Sequence, residues 1–236
     1  MTYELYYWPT IQGRGEFVRL ALEEAGADYI DVARESEGVA VMMRMMEHAD
    51  HLPFAPPFLK DGETIIGQTA AILLYLGARH DLAPKDPAGG LWTHQIQLTI
   101  SDFVAEAHDS HHPVGVGLYY EDQKQEALKR AQEFRDDRIP KFLHWFETIL
   151  ARNPSGDSYL VGKSLTYVDL SLFQAVEGLS YAFPKAARRA LKKAPRVAAL
   201  HDAVAERSRI KSYLASQRRI PFNEEGIFRR YPELDG

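Results

Sequence analysis

The 236-residue chain contains no cysteine. It therefore forms no disulfide and no thiolate metal site, and any mechanism with a protein thiol as the nucleophile is excluded. The longest apolar run, residues 70–76, is far shorter than the roughly 20 residues that a membrane-spanning helix needs. The sequence also opens without a charged leader and an apolar signal core, which predicts a cytoplasmic protein that is neither exported nor inserted in a membrane.

Basic charge is not in excess either. The formal net charge is −5, whereas proteins that bind nucleic acid usually carry a positive patch or stripe. The basic residues within 185–196 follow helical spacing, which is typical of a solvated helix face. Hydrophobic residues make up 45% and charged residues 26% of the chain, so we expect a folded globular protein that does not bind nucleic acid.

Residues 1–78 alternate short strands with helices. An aromatic strand at 3–8 precedes Gly13-Arg14-Gly15 and a helix that Gly26 ends. An Asp-Gly turn at 61–62 joins two further short strands, and another helix follows them. This order of elements predicts a small α/β domain over residues 1–78.

The rest of the chain shows a linker followed by helical patterns. Residues 79–90 are rich in Pro, Gly, Asp and Lys, which predicts a linker. Beyond them no convincing strand pattern occurs, and long helices are predicted at 91–111 and 121–152, the second kinked by Pro140. We therefore predict an all-α domain over residues 91–236.

Two segments of that second domain have their own signatures. Thr166 and Asp169 follow the Ser/Thr-x-x-acid pattern of a capping box, which predicts the start of a helix. The apolar residues that follow predict that this helix is buried in the core. The tail at 218–236 carries several aromatic residues, whereas disordered tails usually have few, so we expect it to pack against the helices.

The stretch around Pro56-Pro57 is the most informative part of the first domain. A proline just before a strand leaves neighbouring backbone groups outside the sheet ladder, and X-Pro bonds tolerate cis geometry. Gln68-Thr69 then opens a helix, and helix N-termini bind anions. A free backbone edge beside a helix N-terminus predicts a site for a peptide and its carboxylate.

Five groups of residues follow one another along nearly the whole chain. They are Tyr7-Trp8-Pro9 with Gly13-Arg14-Gly15-Glu16 and Arg19-Leu20; Pro57-Phe58-Leu59; Gln68-Thr69-Ala70-Ala71-Ile72; Ile139-Pro140-Lys141-Phe142 with Trp145-Phe146; and Leu160-Val161-Gly162 with Thr166 to Asp169. Together and in this order they resemble the cytosolic glutathione S-transferases of the tyrosine type, such as the alpha, mu, pi and sigma classes.

The resemblance implies a thioredoxin-like α/β domain followed by an all-α helical bundle, and a homodimer. It implies an enzyme that activates glutathione as a thiolate, which adds to a hydrophobic electrophile. An unperturbed thiol has a pKa of about 8.5, so a hydroxyl that donates to the anionic sulfur promotes ionisation. The resemblance assigns that hydroxyl to Tyr7, with Arg14 as electrostatic support. Tyr6 and Thr10 are the competing donors.

The same resemblance assigns residues that hold glutathione. The Pro56 backbone would pair with the cysteinyl part just before the cis-proline Pro57. Because Pro56 has no N–H, that pairing has to use its carbonyl. Gln68 and Thr69 would hold the γ-glutamyl end. Asp102 would reach the γ-glutamyl amine of the glutathione that is bound in the partner subunit.

For the glycine end, related classes use a tryptophan and a lysine, but residues 34–50 contain neither. Arg44 and His51 are the nearest cationic candidates. His108 and His112 have the i,i+4 spacing of metal ligands, yet no third ligand is evident, so no metal is expected.

Two other functions stay open at this point. A non-catalytic binding module of the same fold is one, and Pro56 with the missing Trp/Lys pair favours it. A glutathione-dependent isomerase or peroxidase is the other, because the same thiolate serves these reactions without being retained in a conjugate.

Overall fold

A computed structural model describes residues 2–236. Its N-terminal part is a four-stranded sheet with the strand order β2-β1-β3-β4, in which only β1 and β2 are parallel. The elements are β1 (Tyr3–Tyr6), α1 (Gly15–Ala25), β2 (Tyr29–Asp31), α2 (Gly38–His48), β3 (Phe58–Asp61), β4 (Thr64–Gly67) and α3 (Thr69–Arg79), with a 3-10 turn at Val32–Arg34.

Local sequence explains where these elements begin and end. Helix α1 ends because Gly26 takes the left-handed conformation, with φ of 65°, that closes a helix at little cost. The predicted hairpin joins β3 and β4, but its turn lies one residue later than expected: Asp61 is the last residue of β3 and pairs with Thr64, and Gly62 opens the turn with a φ of 59°. The parallel pair β1 and β2 needs a crossover, and α1 provides it.

The C-terminal part is helical, and residues 68–236 contain no strand. The predicted α/β domain followed by an all-α domain is thus confirmed as the fold class. The elements are α4 (Pro87–Asp109), α5 (Lys124–Glu133), α6 (Ile139–Arg152), α7 (Tyr167–Ala182), α8 (Pro184–Leu191), α9 (Pro195–Ala205), α10 (Ser208–Leu214) and α11 (Pro232–Asp235), with a 3-10 turn at Tyr120–Asp122.

The division of the chain into residues 1–78, 79–90 and 91–236 stays a prediction. In the structure α3 continues to Arg79 and α4 begins at Pro87, so the loop between them is shorter than the predicted linker. Gly77 lies in α3 against Tyr167, where an added Cβ would meet the tyrosine ring at 2.6 Å. Close packing between helices explains that glycine.

The helix predicted over 121–152 is interrupted earlier than expected. A π-helical turn at Phe134–Arg138 separates α5 from α6, and Pro140 falls in the first turn of α6. Proline lacks an N–H and its ring clashes with the carbonyl four residues earlier, so a regular helix cannot run through it. The wider turn just before Pro140 takes up that mismatch.

Helix α7 lies at the centre of the helical core. Nearly every one of its residues is buried, and it begins with the predicted capping box of Thr166 and Asp169. The Asp169 carboxylate accepts hydrogen bonds from the Leu160 amide at 2.8 Å and from the Thr166 amide at 2.7 Å. Burial nevertheless raises the pKa of Asp169 to about 6, because water is excluded from the carboxylate.

A cluster of charged residues lies buried between the two parts of the chain. The Arg19 side chain is fully buried and pairs with Glu16 at 3.2 Å and with Asp31 at 2.7 Å. The Tyr213 hydroxyl donates to Glu16 at 2.7 Å, and the Arg219 guanidinium pairs with the same carboxylate. Helix α1 is therefore linked to α10 by a hydrogen bond and to the chain after α10 by an ion pair.

The C-terminal tail packs as expected. Phe222 stacks on Tyr181 with ring centroids 4.8 Å apart, and Tyr231 stacks on Tyr120 at 3.8 Å. Phe228 is buried against Gly178 of α7, where a side chain larger than glycine would overlap the phenyl ring. The tail is thus part of the folded core.

We expect Arg219→Met to lower the free energy of unfolding by about 3 kcal/mol, because it leaves part of the Glu16 charge buried without its partner. Arg218→Met is the matched control, since Arg218 pairs with Glu23 from a side chain that is 57% exposed. That exposed pair should contribute less than about 1 kcal/mol. Urea unfolding of both variants checks this, and equal losses would contradict a special role for the buried cluster.

Candidate active site

Tyr7 lies directly after β1 and is 4% exposed. Its hydroxyl oxygen accepts a hydrogen bond from the Arg14 backbone amide at 2.8 Å. Within residues 2–236 no acceptor takes the hydroxyl proton of Tyr7, so that proton remains available for a ligand. The turn after β1 thus presents one oriented O–H group.

Both residues beside Arg14 are glycines because a side chain at either position would overlap Tyr7. An added Cβ at Gly13 would lie 2.0 Å from the Tyr7 hydroxyl oxygen, and one at Gly15 would lie 2.5 Å from the ring. Gly13 also has a φ of 44°, a conformation that side chains disfavour. The Gly13-Arg14-Gly15 motif therefore wraps its backbone against the tyrosine, which orients the hydroxyl.

Electrostatics favour the neutral form of this tyrosine. Burial raises the pKa of Tyr7, and the Arg14 amide and the nearby Arg14 and Arg19 charges offset this only in part. The hydroxyl keeps its proton near neutral pH as a result. A protonated phenol donates a hydrogen bond to an anion but does not act as a base there.

The competing hydroxyls lie elsewhere. Tyr6 points to the other side of the sheet, where its ring stacks on Phe58 at 4.5 Å and its hydroxyl donates to Glu4 at 2.6 Å. Thr10 is exposed and contacts Glu225 and Asn223 of the tail. Neither hydroxyl is held by the backbone in the way that Tyr7 is.

The Pro56–Pro57 peptide bond is cis, as the resemblance implies. Pro57 is buried and Pro56 is half-buried, immediately before β3. Pro56 has no N–H, and within residues 2–236 no backbone amide bonds its carbonyl outside the regular elements. One backbone acceptor is therefore free at the start of β3.

A cleft of about 360 Å³ lies between α3 and α4 and brings Arg14, Gln68 and Thr69 together. Gln68 has a φ of 64°, which non-glycine residues adopt rarely and mainly where the surrounding structure holds them, often at ligand sites. The Thr69 hydroxyl lies 3.5 Å from the Arg14 carbonyl. Three of the residues predicted to contact a ligand thus share one opening.

The other predicted residues do not line this cleft. Arg44 lies on the exposed side of α2, and His51 lies in the exposed loop between α2 and β3. Asp102 is exposed on α4, beside the cleft residue Ser101.

Sequence reasoning missed three polar residues of α4 that line the cleft, namely His94, Gln97 and Ser101. Gln97 is 1% exposed, and its side-chain oxygen has no hydrogen-bond partner in the described part of the chain. Their spacing of three and four residues on one helix was the available signal, because such residues share a face.

His108 in the last turn of α4 forms a cluster with His111 and His112, which follow the helix. His108, His111 and His112 have ring centroids 4.7–5.0 Å apart, and the His111 ring contacts the Ile227 carbonyl at 2.7 Å. Burial lowers the pKa of His108 to about 4 and that of His111 to about 3. Within residues 2–236, neither these histidines nor any other group of three or more His, Asp or Glu side chains is arranged so that it could hold a metal ion.

Hydrogen bonds from α7 and from the C-terminal tail hold the loop that carries Arg14. Gln12 accepts a hydrogen bond from Gln174 of α7 at 2.8 Å and donates to the Ile220 carbonyl of the tail at 2.5 Å. Arg219 donates to the side-chain oxygen of Gln174 at 3.1 Å. The helical domain and the tail therefore hold the loop that contacts Tyr7.

Known glutathione S-transferases are similar to this chain over almost its full length. The family model described as "Glutathione S-transferase, C-terminal domain" matches residues 108–217. "Glutathione S-transferase 1" of Ascaris suum is 30% identical over 225 residues, which cover 93% of this chain and 98% of the relative. "Glutathione S-transferase P" of Bos taurus is 26% identical over 229 residues, 95% of this chain and 98% of the relative.

The solved structures agree as well. The crystal structure of the glutathione S-transferase from Ascaris lumbricoides is 25% identical and covers 94% of this chain, with a TM-score of 0.69. In this chain no helix within residues 2–236 is long and apolar enough to span a bilayer.

The histidine cluster predicts a pH effect on stability. In the unfolded chain His111 binds a proton below a pKa of about 6.5, whereas the folded protein resists protonation down to a pKa of about 3. A depressed folded pKa stabilises the protein above pH 6.5, and this contribution is lost progressively as the pH falls toward 3.

Between pH 7 and pH 5, His111 should therefore account for a loss of about 2 kcal/mol in the free energy of unfolding. We expect His111→Gln to remove that part of the pH dependence, while the control His48→Gln, at an exposed position, leaves it in place. Urea unfolding at both pH values measures the difference. An unchanged slope in His111→Gln would show that the histidine titrates normally.

Proposed function

Since the chain belongs to the glutathione S-transferase family, we propose that Tyr7 activates its co-substrate glutathione. The protein is a glutathione transferase, and the residues that perform the reaction are inferred from the site. The assignment rests on the hydrogen bonding of the Tyr7 hydroxyl. Its oxygen accepts a hydrogen bond from the Arg14 amide at 2.8 Å, and its proton stays available for a ligand.

The chemistry follows from that hydrogen bond. The glutathione thiol loses its proton to solvent, and the Tyr7 O–H donates to the resulting thiolate, which lowers the pKa of the bound thiol. The sulfur then forms a bond to an electrophilic carbon of a hydrophobic compound, and the leaving group departs or the addition product takes up a proton. The raised pKa of Tyr7 supports this role, because a neutral phenol is the required donor.

The remaining contacts are assigned by position. The free Pro56 carbonyl pairs with the cysteinyl N–H of glutathione, beside the cis bond to Pro57. Gln68 and Thr69 hold the γ-glutamyl carboxylate at the N-terminus of α3, and Arg14 lies in the same cleft. With these contacts, we expect the thiol to lie near Tyr7.

The glycine carboxylate needs a cation, and Arg44 and His51 are the candidates on the α2 side. Both are exposed, so each would contribute a solvent-screened contact. Asp102 is exposed on α4, as a residue that reaches a partner subunit would have to be.

We also propose a homodimer. Phe54 is 93% exposed. Leu91 and Leu98 are seven residues apart, so they lie on the same face of α4, and they are 71% and 49% exposed. Leu74 of α3 and Leu98 line the same cleft. Large exposed apolar side chains are typical of a protein interface, and we propose that a second copy of this chain covers them.

We expect Tyr7→Phe to lower kcat by roughly 10- to 100-fold, the effect of losing one hydrogen bond to a charged group. The dissociation constant for glutathione should change by less than about threefold, because the hydroxyl contacts only the sulfur. Turnover with a chromogenic electrophile and the ultraviolet absorbance of bound thiolate against pH measure both.

Tyr6→Phe is the matched control, since the neighbouring hydroxyl bonds to Glu4 on the other side of the sheet. It should leave kcat and the thiol pKa unchanged. A Tyr7→Phe variant with full turnover would contradict the assignment. Retention of glutathione by a wild type that shows no thiolate would favour a binding module instead.

For the dimer, light scattering of the wild type should give twice the mass of the chain. Phe54→Ser should weaken the dimer by roughly tenfold or more, as expected for an aromatic anchor. Val116→Ser, at a residue 77% exposed in another loop, is the control and should not change the mass. A wild type that stays monomeric at all concentrations would contradict the proposal.

A further inference from the structure

Part of the basic segment 185–196 lines a cleft of about 560 Å³ between the start of α6 and the end of α8. Helix α8 and the turn after it contribute Arg189, Lys192 and Lys193. The chain at the start of α6 contributes Arg135 and His144. None of these residues lines the cleft between α3 and α4, so the two openings are separate parts of the surface. The structure thus gives a concave shape to a segment for which the sequence predicts only a solvated helix face.

The positive charges that the α8 side brings to this cleft have no partner. Within residues 2–236, none of its three cationic side chains forms an ion pair or a hydrogen bond. Arg196 of the same basic segment differs, because it pairs with Glu147 at 3.0 Å. Asp136 is the one carboxylate among the residues that line the cleft. Four cationic side chains therefore accompany one carboxylate, in a protein whose net charge is −5.

The dipole of α8 accounts for only part of this charge. Arg189 lies in the last turn of α8, where a helix dipole favours cations. Arg135 belongs instead to the π-helical turn before α6, and its guanidinium donates a hydrogen bond to the Leu234 carbonyl. Cations from two separate elements thus converge on one opening, although like charges repel one another. A bound anion would remove that repulsion and would explain the arrangement.

The floor of the cleft is apolar. Ala186 and Ala190 lie four residues apart on α8, Ala194 follows the helix, and all three are buried. Pro140 of α6 adds to the apolar lining. The volume falls within the range of about 300–1,000 Å³ that is usual for small-molecule sites. An apolar floor with a cationic rim fits a ligand that has both an apolar body and an anionic group.

We propose that this cleft binds a small phosphate monoester whose organic part is apolar. A phosphate monoester carries a charge of about −1.5 to −2 near neutral pH and has three acceptor oxygens. The guanidinium groups of Arg135 and Arg189 suit this anion, because a planar guanidinium donates two parallel hydrogen bonds to phosphate oxygens. Lys192 and Lys193 add positive charge at the rim, and the alanines of the floor contact the organic part. The site is independent of the glutathione reaction.

Calorimetry with hexyl phosphate tests the proposal. The wild type should bind this probe with a dissociation constant below about 1 mM. Hexanol has the same apolar body without the charge and should show no measurable binding. Inorganic phosphate lacks the apolar body and should bind more weakly than hexyl phosphate. Added salt should weaken the binding of hexyl phosphate, because ions screen exposed charges.

Arg189→Gln removes one charge from the cleft and should weaken hexyl phosphate binding roughly three- to tenfold, as expected for a charged contact that solvent partly screens. Lys193→Gln should act in the same direction. Arg188→Gln is the matched control and should keep the wild-type affinity, because Arg188 is exposed in the same segment but does not line this cleft. All three variants should keep the wild-type turnover with glutathione, which shows that they are folded.

Several results would overturn the proposal. Equal weakening in Arg188→Gln and Arg189→Gln would show that the basic surface attracts anions without a defined site. Inorganic phosphate that binds as tightly as hexyl phosphate would show that the apolar floor takes no part. Vesicles that contain phosphatidic acid test a lipid source of the same phosphate group. A protein that sediments with these vesicles but does not bind hexyl phosphate would use the cations at a membrane surface, and one that binds neither would have no phosphate site.

Discussion

The structure depends on one buried carboxylate, that of Glu16. It pairs with Arg19 on its own helix, accepts the Tyr213 hydroxyl at 2.7 Å, and pairs with Arg219 some 203 residues away in sequence. A charge removed from water is stable only when its partners surround it, because an unpaired buried ion costs several kcal/mol. The two domains and the tail must therefore meet in one arrangement around this group.

That arrangement controls the turn beside Tyr7. Arg219 also bonds Gln174, Gln174 bonds Gln12, and Gln12 directly precedes Gly13-Arg14. The Arg14 amide then orients the Tyr7 hydroxyl at 2.8 Å. A chain of hydrogen bonds thus connects the C-terminal tail to the hydroxyl that is proposed to activate glutathione, although the tail contributes no catalytic group of its own.

The cleft between α3 and α4 shows the same division of roles between the domains. The first turn of α3, from the α/β domain, presents donors, while His94 and Gln97 of the helical domain present acceptors. Neither domain alone supplies both walls, so the cleft exists only where the two domains pack together.

The amino-acid sequence predicts local structure in this protein, but it does not predict the packing between residues that are far apart in the chain. Composition alone excludes protein thiol chemistry. The capping box at Thr166 and the Gly26 helix end follow from local sequence rules, and the structure has both. The π turn before Pro140 and the burial of Gln97 escaped prediction, because helical spacing alone does not show which polar face another helix will cover. Only tertiary packing brings Arg219 to Glu16 and α3 to α4, since contacts between distant residues arise when the whole chain closes around its core.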